Sequence, residues 1–292
     1  MGETGGSVTG FSGMHDSGTG GQPSLGNFPI FPHISCEGDD LNKCVFPKQA
    51  RAQPYNPESV KASPGYFALT LQNGIEADMT AAQHTSLFRF KFPSSGGSPL
   101  IQLDLSDLSD SRQDNATISV DGGTSRMTGN ARFLPSFAQG YYTAYFCADF
   151  SGGSVRDNGI YVNTRASNDV QDLTISRSIN GYPLPGGAFV RFEDASQPVM
   201  ARVGISMISS KQACSNAEKE IADFDFEGTK KAAEDIWREK LGRIEVDSDG
   251  VDPSLVTNFY SGIYRTMVNP QDYTGENPLW KSDEPYFDSF YW

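Results

Sequence analysis

The chain has 292 residues, enough for a large core, and a formal net charge of −13 against which 23 scattered Lys and Arg form no basic patch. That balance argues against nucleic acid as a partner. No apolar run reaches the about 18 residues a membrane span needs, and the opening Met-Gly-Glu-Thr-Gly-Gly lacks the charged-then-apolar order of a signal peptide.

Residues 1–60 are rich in Gly, Pro, Ser and Asn, yet Phe11, Phe28, Phe31 and Phe46 recur through them. This reads as long irregular loops pinned by aromatic anchors. Within them Cys36 and Cys44 bracket a polar loop of a size one disulfide can close. The acidic pair Asp39-Asp40 reads as solvated, because calcium needs six or more converging oxygens.

From Gly65 onward short runs of β-formers alternate with turn residues. Strands are expected over Tyr66 to Leu71, Ile75 to Thr80, Thr85 to Phe92, Leu100 to Leu105 and Ala116 to Val120. Five more follow at Tyr141 to Phe150, Gly159 to Val162, Val170 to Ser176, Ala188 to Phe192 and Val199 to Ile208. Ten strands at this spacing imply a β-sandwich, with hairpin turns at Asn73-Gly74 and Asp121-Gly122-Gly123. Asn115-Ala-Thr117 is an N-glycosylation acceptor sequon, which with the Cys36 to Cys44 bridge favours a secretory route; the cytosol is the alternative. Cys147 and Cys214 read as buried thiols, His33 and His84 as satisfied loop or strand histidines, and Arg126 and Arg132 as groups that brace the sandwich or pair with its many acids.

At Ser215 the apolar period changes from two to nearly four. Ser215-Asn-Ala-Glu218 has the form of a capping box, and Lys230 to Leu241 carries Ala233, Ile236, Trp237 and Leu241 on one face. Asp252-Pro253, a cap followed by proline at the first helical position, starts another helix, expected to bury Leu255, Val256, Phe259 and Ile263. Three parts result: a β-sandwich over 1–210, linker helices over 211–246 and the start of a helical domain over 247–292. The aromatic stretch Tyr286-Phe-Asp-Ser-Phe-Tyr-Trp292 is expected to pack in a core.

The residues alone say little of chemistry. Carboxylates are plentiful, but no pair can be placed on one face of one element as an acid and base couple. His15-Asp16 beside Ser17-Gly18-Thr19-Gly20-Gly21 has the composition of a phosphate cradle, yet it follows no apolar strand and opens no helix, so that reading fails. A structural loop and a sugar-contacting loop stay open.

Longer stretches carry a resemblance. Thr9-Gly-Phe-Ser-Gly-Met-His-Asp-Ser-Gly-Thr-Gly-Gly21 with Ser24-Leu-Gly-Asn-Phe-Pro-Ile-Phe-Pro32 resembles the amino-terminal signature of glycoside hydrolase family 92, fungal branch. Ser63 to Leu69, Glu76 to His84, Gly129 to Ser136, Tyr145 to Asp149, Arg202 to Ser206, Phe259 to Thr266 and Tyr286 to Tyr291 resemble the same family in the same order.

The resemblance implies a mainly β fold: a galactose-mutarotase-like supersandwich, a linker helix and the first helix of an (α/α)6 toroid. It implies an exo-acting α-mannosidase that works with inversion on terminal α-1,2-linked mannose of N-glycans or mannan. It also implies calcium as cofactor, and mannose-containing glycans or glycoproteins as partners. Acid, base and calcium ligands are then expected beyond Trp292, so this chain is expected to be a truncated form, with no catalytic and no metal residue of its own. A non-catalytic carbohydrate-binding remnant is the alternative. On the substrate side the resemblance points to His15, Asp16, Gly18, Thr19 and Gly20 as a rim that a glycan touches. The chain departs from the pattern at Gly13, where family members commonly carry another histidine.

Overall fold

The computed structural model describes residues 6–14, 26–94, 97–106, 113–133, 140–176, 185–194, 196–268 and 271–288. Two antiparallel sheets face each other. Their strands in chain order are β1 (Ile30–His33), β2 (Lys61–Ser63), β3 (Tyr66–Thr70), β4 (Glu76–Ala81), β5 (Thr85–Lys91), β6 (Leu100–Asp104) and β7 (Gln113–Val120). Then come β8 (Met127–Phe133), β9 (Tyr142–Ser151), β10 (Val155–Val162), β11 (Arg165–Ser167), β12 (Asp172–Ile175), β13 (Gly186–Phe192) and β14 (Val199–Ser206). The large sheet runs β12-β7-β8-β9-β14-β5-β4-β3-β2 and the small one β11-β10-β13-β6-β1. The expected β-sandwich is therefore present, and all ten expected strands fall on strands of these sheets.

The core forms where the inward faces meet. Phe88 and Phe90 of β5, Ile118 of β7, Phe133 of β8 and Phe146 of β9 pack against Ile30, Ile101, Leu103, Val190 and Phe192 of the small sheet. Phe11 and Phe28 join them from the leading loops. A second cluster under the small sheet gathers Cys36, Cys44, Phe46, Leu100, Tyr161 and Phe189. It is tied by a buried ion pair between Arg51 and Asp104, whose guanidinium also donates to the carbonyls of Thr9 and Phe46. This is how a loop-rich leader holds one conformation: its aromatic rings are buried and its carbonyls meet a buried arginine.

The Cys36 and Cys44 bridge forms as expected. The reading of Cys147 and Cys214 as thiols is corrected, for they form a second disulfide between β9 and a helix. Their sequence separation of 67 leaves no local trace of the pairing. The turn at Asn73-Gly74 closes β3 onto β4 with Gly74 at φ 92°. At the β7–β8 hairpin the left-handed residue is Ser125 (φ 62°), and Asp121 holds the loop by accepting from the N–H groups of Gly123 and Thr124.

Three helices follow: α1 (Ser210–Glu220), α2 (Phe226–Leu241) and α3 (Pro253–Thr266). The capping box at Ser215 is not used. Helix α1 begins earlier, with Ser209 accepting from the Gln212 N–H at 3.1 Å, so Ser215 and Glu218 lie inside it. Its small face, Ala213 and Ala217, is buried on the large sheet, and Glu218 pairs with Arg126, which also grips Asp149. Asp225 caps α2 and Asp252 caps α3, the latter with Pro253 at its start as expected.

The expected burial of α3 is corrected: none of its residues is buried, and Leu255 and Phe259 are 60% and 42% exposed. The helix leans on α2 through Trp237 and Tyr264, whose rings lie 4.8 Å apart, and among the described residues nothing covers the part of its amphipathic stripe at Leu255 and Phe259. Of the aromatic stretch from Tyr286, Tyr286 packs on the core and Phe287 is 58% exposed; Phe290 and Trp292 lie outside the described residues. No helix among the described residues is long and apolar enough to cross a membrane.

Candidate functional site

The chain returns to the sandwich after α3 and closes a cleft there. Its walls are Gly13 and Met14 from the leading loop, Ala81 to Ser86 from the β4–β5 turn, Ile205 to Met207 at the end of β14, and Asp272, Tyr273 and Glu276 from the returning segment. The volume is about 180 Å³, below the about 300–1,000 Å³ of sites for drug-sized ligands, so one small group fits rather than an extended chain.

Glu276 is the tie that makes the cleft. Its side chain accepts from Ser206 Oγ at 2.6 Å, the Met207 N–H at 2.8 Å, Gln212 Nε2 at 2.8 Å and Asn216 Nδ2 at 2.9 Å. Sandwich, α1 and returning segment thus converge on one carboxylate that is 2% exposed. Four donors occupying its oxygens make it a tether rather than a proton donor. Asp272, on the rim, accepts from the Thr274 N–H at 2.9 Å; burial raises its pKa, but that turn and the nearby His84 and Lys240 hold it below the ordinary value. Neither group is assigned an acid role.

His84 sits in the β4–β5 turn against the last turn of α1. Its Nδ1 lies 2.7 Å from Glu220 Oε1 and its backbone N–H donates to Glu220 Oε2 at 2.8 Å. Burial alone would lower the imidazole pKa, but the Glu220 carboxylate outweighs it and the net shift is upward. Its other nitrogen, Nε2, is buried with no hydrogen-bond partner among the described residues. His33, by contrast, is a small-sheet residue whose Nε2 meets Gln102 Oε1 at 2.7 Å, and burial lowers its pKa to about 4. Both histidines are thus structural groups, as expected from sequence, with His84 paired through Nδ1 alone among the described residues.

The leading loop reaches the cleft because it is pinned upstream. Phe11 pairs with Ile30, and Ser12 Oγ donates to the Asn27 carbonyl at 2.7 Å. A Cβ on Gly13 would lie 1.6 Å from Ser86 Oγ, so the departure at this position is built in: a histidine there would have to displace Ser86. Met14 is the last described residue before the candidate rim. His15, Asp16, Gly18, Thr19 and Gly20 lie outside the described residues, so no contact of theirs is assigned. Sequence reasoning missed Glu276 and Glu220. The only signal for Glu276 was an acid in a Gly-Glu-Asn-Pro turn, and its donors lie 60 to 70 residues away.

Three or more His, Cys, Asp or Glu side chains nowhere converge as a metal-holding group among the described residues. Glu276 already has four protein donors and Asp272 stands at the rim, so the cleft does not fit calcium, which takes six or more oxygens. No step is derived through it here.

Residues 3–206 match the model of the glycosyl hydrolase family 92 N-terminal domain, and residues 212–291 that of the family's catalytic domain. The chain belongs to glycosyl hydrolase family 92. The cleft therefore lies where the family 92 sandwich meets the segment that opens the family 92 catalytic domain. A protein from Arthroderma benhamiae described as an uncharacterized secreted glycosidase is 51% identical over 297 residues. The match covers 98% of this chain and 38% of that relative, so the chain spans well under half its length.

Among solved structures, a family 92 inverting mannosidase from Bacteroides thetaiotaomicron superposes with a TM-score of 0.76 at 20% identity, covering 97% of this chain and 37% of its own. A second family 92 glycosyl hydrolase gives 0.79 at 19% identity, again with 97% of this chain and 38% of its own covered. At such identities these likenesses speak for the family 92 fold, a β-sandwich followed by the start of a helical domain.

Proposed function

We propose that this chain belongs to an exo-acting α-mannosidase that releases terminal α-1,2-linked mannose from N-glycans or mannan with inversion. In this reading the sandwich and the segment after α3 form one wall of the sugar pocket. The observation that carries it is the junction held by Glu276, where the leading loop as far as Met14 lines a small cleft beside the catalytic-domain segment. Family membership supplies the reaction class. Family 92 mannosidases among the solved structures of the same fold support mannose as the sugar.

Inversion needs an acid and a base about 6.5–9.5 Å apart with a water between them. No such pair is assigned to the described residues, and both groups are proposed for the remaining length of the family's catalytic domain. Calcium assistance belongs to the same proposal, with no ligand assigned here. The secretory route is supported by the secreted relative and the two disulfides.

The test compares this 292-residue chain with the full coding region on α-1,2-mannobiose, with and without a calcium chelator. Release of mannose by the full protein, suppressed by the chelator, supports the proposal. Release of a different sugar, or none from any α-mannoside, sinks it. Binding of mannan by the 292-residue chain without release would favour the carbohydrate-binding alternative for this portion.

A further inference from the structure

We infer that Asn115 is a covalent N-glycan attachment site on the outer face of the large sheet. Asn115-Ala116-Thr117 is the only Asn-X-Ser/Thr sequon in the 292 residues. It lies inside a strand, an unusual place, and the local backbone makes it usable there. The register between β7 and β8 runs Thr117 to Asn130 and then jumps to Asp114 opposite Arg132, so Asn115 and Ala116 share one partner position. This is a β-bulge, and Asn115 takes its left-handed residue at φ 46°. The bulge sends the two neighbours opposite ways: Ala116 is fully buried in the core, whereas Asn115 is exposed.

Strand order adds room on one side. β12 is the edge strand, and its pairing with β7 covers only Ala116 to Ser119. Residues 113–115 extend past that pairing. Among the described residues the Asn115 side chain has no hydrogen-bond partner, so attaching a glycan breaks no hydrogen bond. Thr117, which supplies the sequon hydroxyl, accepts from Asn130 Nδ2 at 2.8 Å in the folded chain and remains partly exposed. The disulfides Cys36–Cys44 and Cys147–Cys214 place folding in an oxidising compartment, where sequons are modified.

The co-reactant is a lipid pyrophosphate-linked oligosaccharide of that compartment. Asn115 Nδ2 forms a bond to the sugar C1, the C1–oxygen bond to the pyrophosphate breaks, the lipid pyrophosphate leaves with the electron pair, and Nδ2 gives up one proton to base. No oxidant or reductant is needed. The inference depends on secretion and is independent of what the enzyme hydrolyses, so failure of the mannosidase assay would leave it standing.

The experiment is secretion of the full chain from a eukaryotic host, followed by peptide N-glycosidase treatment and peptide mass spectrometry. A mobility shift on treatment is expected, with Asn115 recovered as Asp in the released peptide. Asn115→Asp keeps tolerance of the left-handed backbone but removes the amide nucleophile, and Thr117→Val keeps the shape but removes the hydroxyl; both are expected to lose the shift. Thr117→Ser is expected to keep it. Recovery of unmodified Asn115 from the secreted chain, or a shift that survives in Asn115→Asp, overturns the assignment.

Discussion

The Cys147–Cys214 bridge should be the stronger of the two disulfides, and by an amount that can be worked out. Cross-linking removes loop-closure entropy from the unfolded chain in proportion to the logarithm of the loop length. The loop of 67 gives about 4.4 kcal/mol at 25 °C and the loop of 8 between Cys36 and Cys44 about 2.5 kcal/mol. Three of the four cysteines are buried, at 0% for Cys147, 4% for Cys36 and 5% for Cys44, so the packing lost on replacement by alanine is similar for the two pairs. Comparing Cys147→Ala/Cys214→Ala with Cys36→Ala/Cys44→Ala therefore isolates loop length. Urea unfolding followed by tryptophan fluorescence reads α2 directly, because Trp237 lies on it, and in a two-state transition that reports the whole domain. The first variant should lose about 2 kcal/mol more than the second. Equal losses, or a larger one for the short loop, would refute loop closure as the source of the stabilisation.

Glu276→Ala should cost about 3 kcal/mol, because it strands a hydroxyl, an amide N–H and two side-chain amides that now share one carboxylate. Faster proteolysis after α3 would report the loosened junction, and unchanged stability would deny the tether. The His84 and Glu220 pair predicts a pH window. A raised His84 contributes fully below 6.5 and loses this as pH rises through its folded value; a depressed Glu220 contributes fully above 4.5 and loses this as pH falls. The stability gap between wild type and Glu220→Gln should thus be widest between 4.5 and 6.5 and narrow toward alkaline pH, and a flat gap there would contradict the pairing. His33 acts in the other direction: with its pKa lowered to about 4, stability falls as pH drops from 6.5 toward 4, by about 3 kcal/mol when complete. His33→Gln should flatten that slope in acid titrations monitored by circular dichroism.

Much of the sandwich could be read from sequence because its strands alternate or run apolar over lengths that only a sheet satisfies. Thr85–Lys91 is such a case. Met127–Phe133 was missed although its burial alternates, since Gly129, Asn130 and Arg132 break the pattern of β-formers and hide a central strand. Ile30–His33 was missed because two prolines flank and enter it and only its pairing with β6 makes it a strand. The start of α1 was misplaced by six residues, Ser209 competing with Ser215 as the cap, and packing of Ala213 and Ala217 on the sheet decided between them. The site was the least legible part. The Cys147–Cys214 bridge and the Glu276 cluster join residues 60 to 70 positions apart, a separation at which no periodicity or spacing rule operates. Resemblance pointed instead at the His15 loop, and the structure reaches its threshold at Met14.

Glu276 lies 70 residues after Ser206, and between them the chain travels out through α2 and α3 and comes back. Both ends of that excursion are knotted at one point, with α1 bolted to the sheet at the outgoing end. Helix α2 is tied to the sheet as well, with Phe226 buried against Leu87 and Glu227 paired to Arg89, so the neck of the excursion is held firmly and α3, none of whose residues is buried, is its far end. The cleft is at the neck. Displacing α3 therefore need not disturb the walls around Met14, His84 and Asp272, whose ties run through Glu276 and Glu220 rather than through that helix.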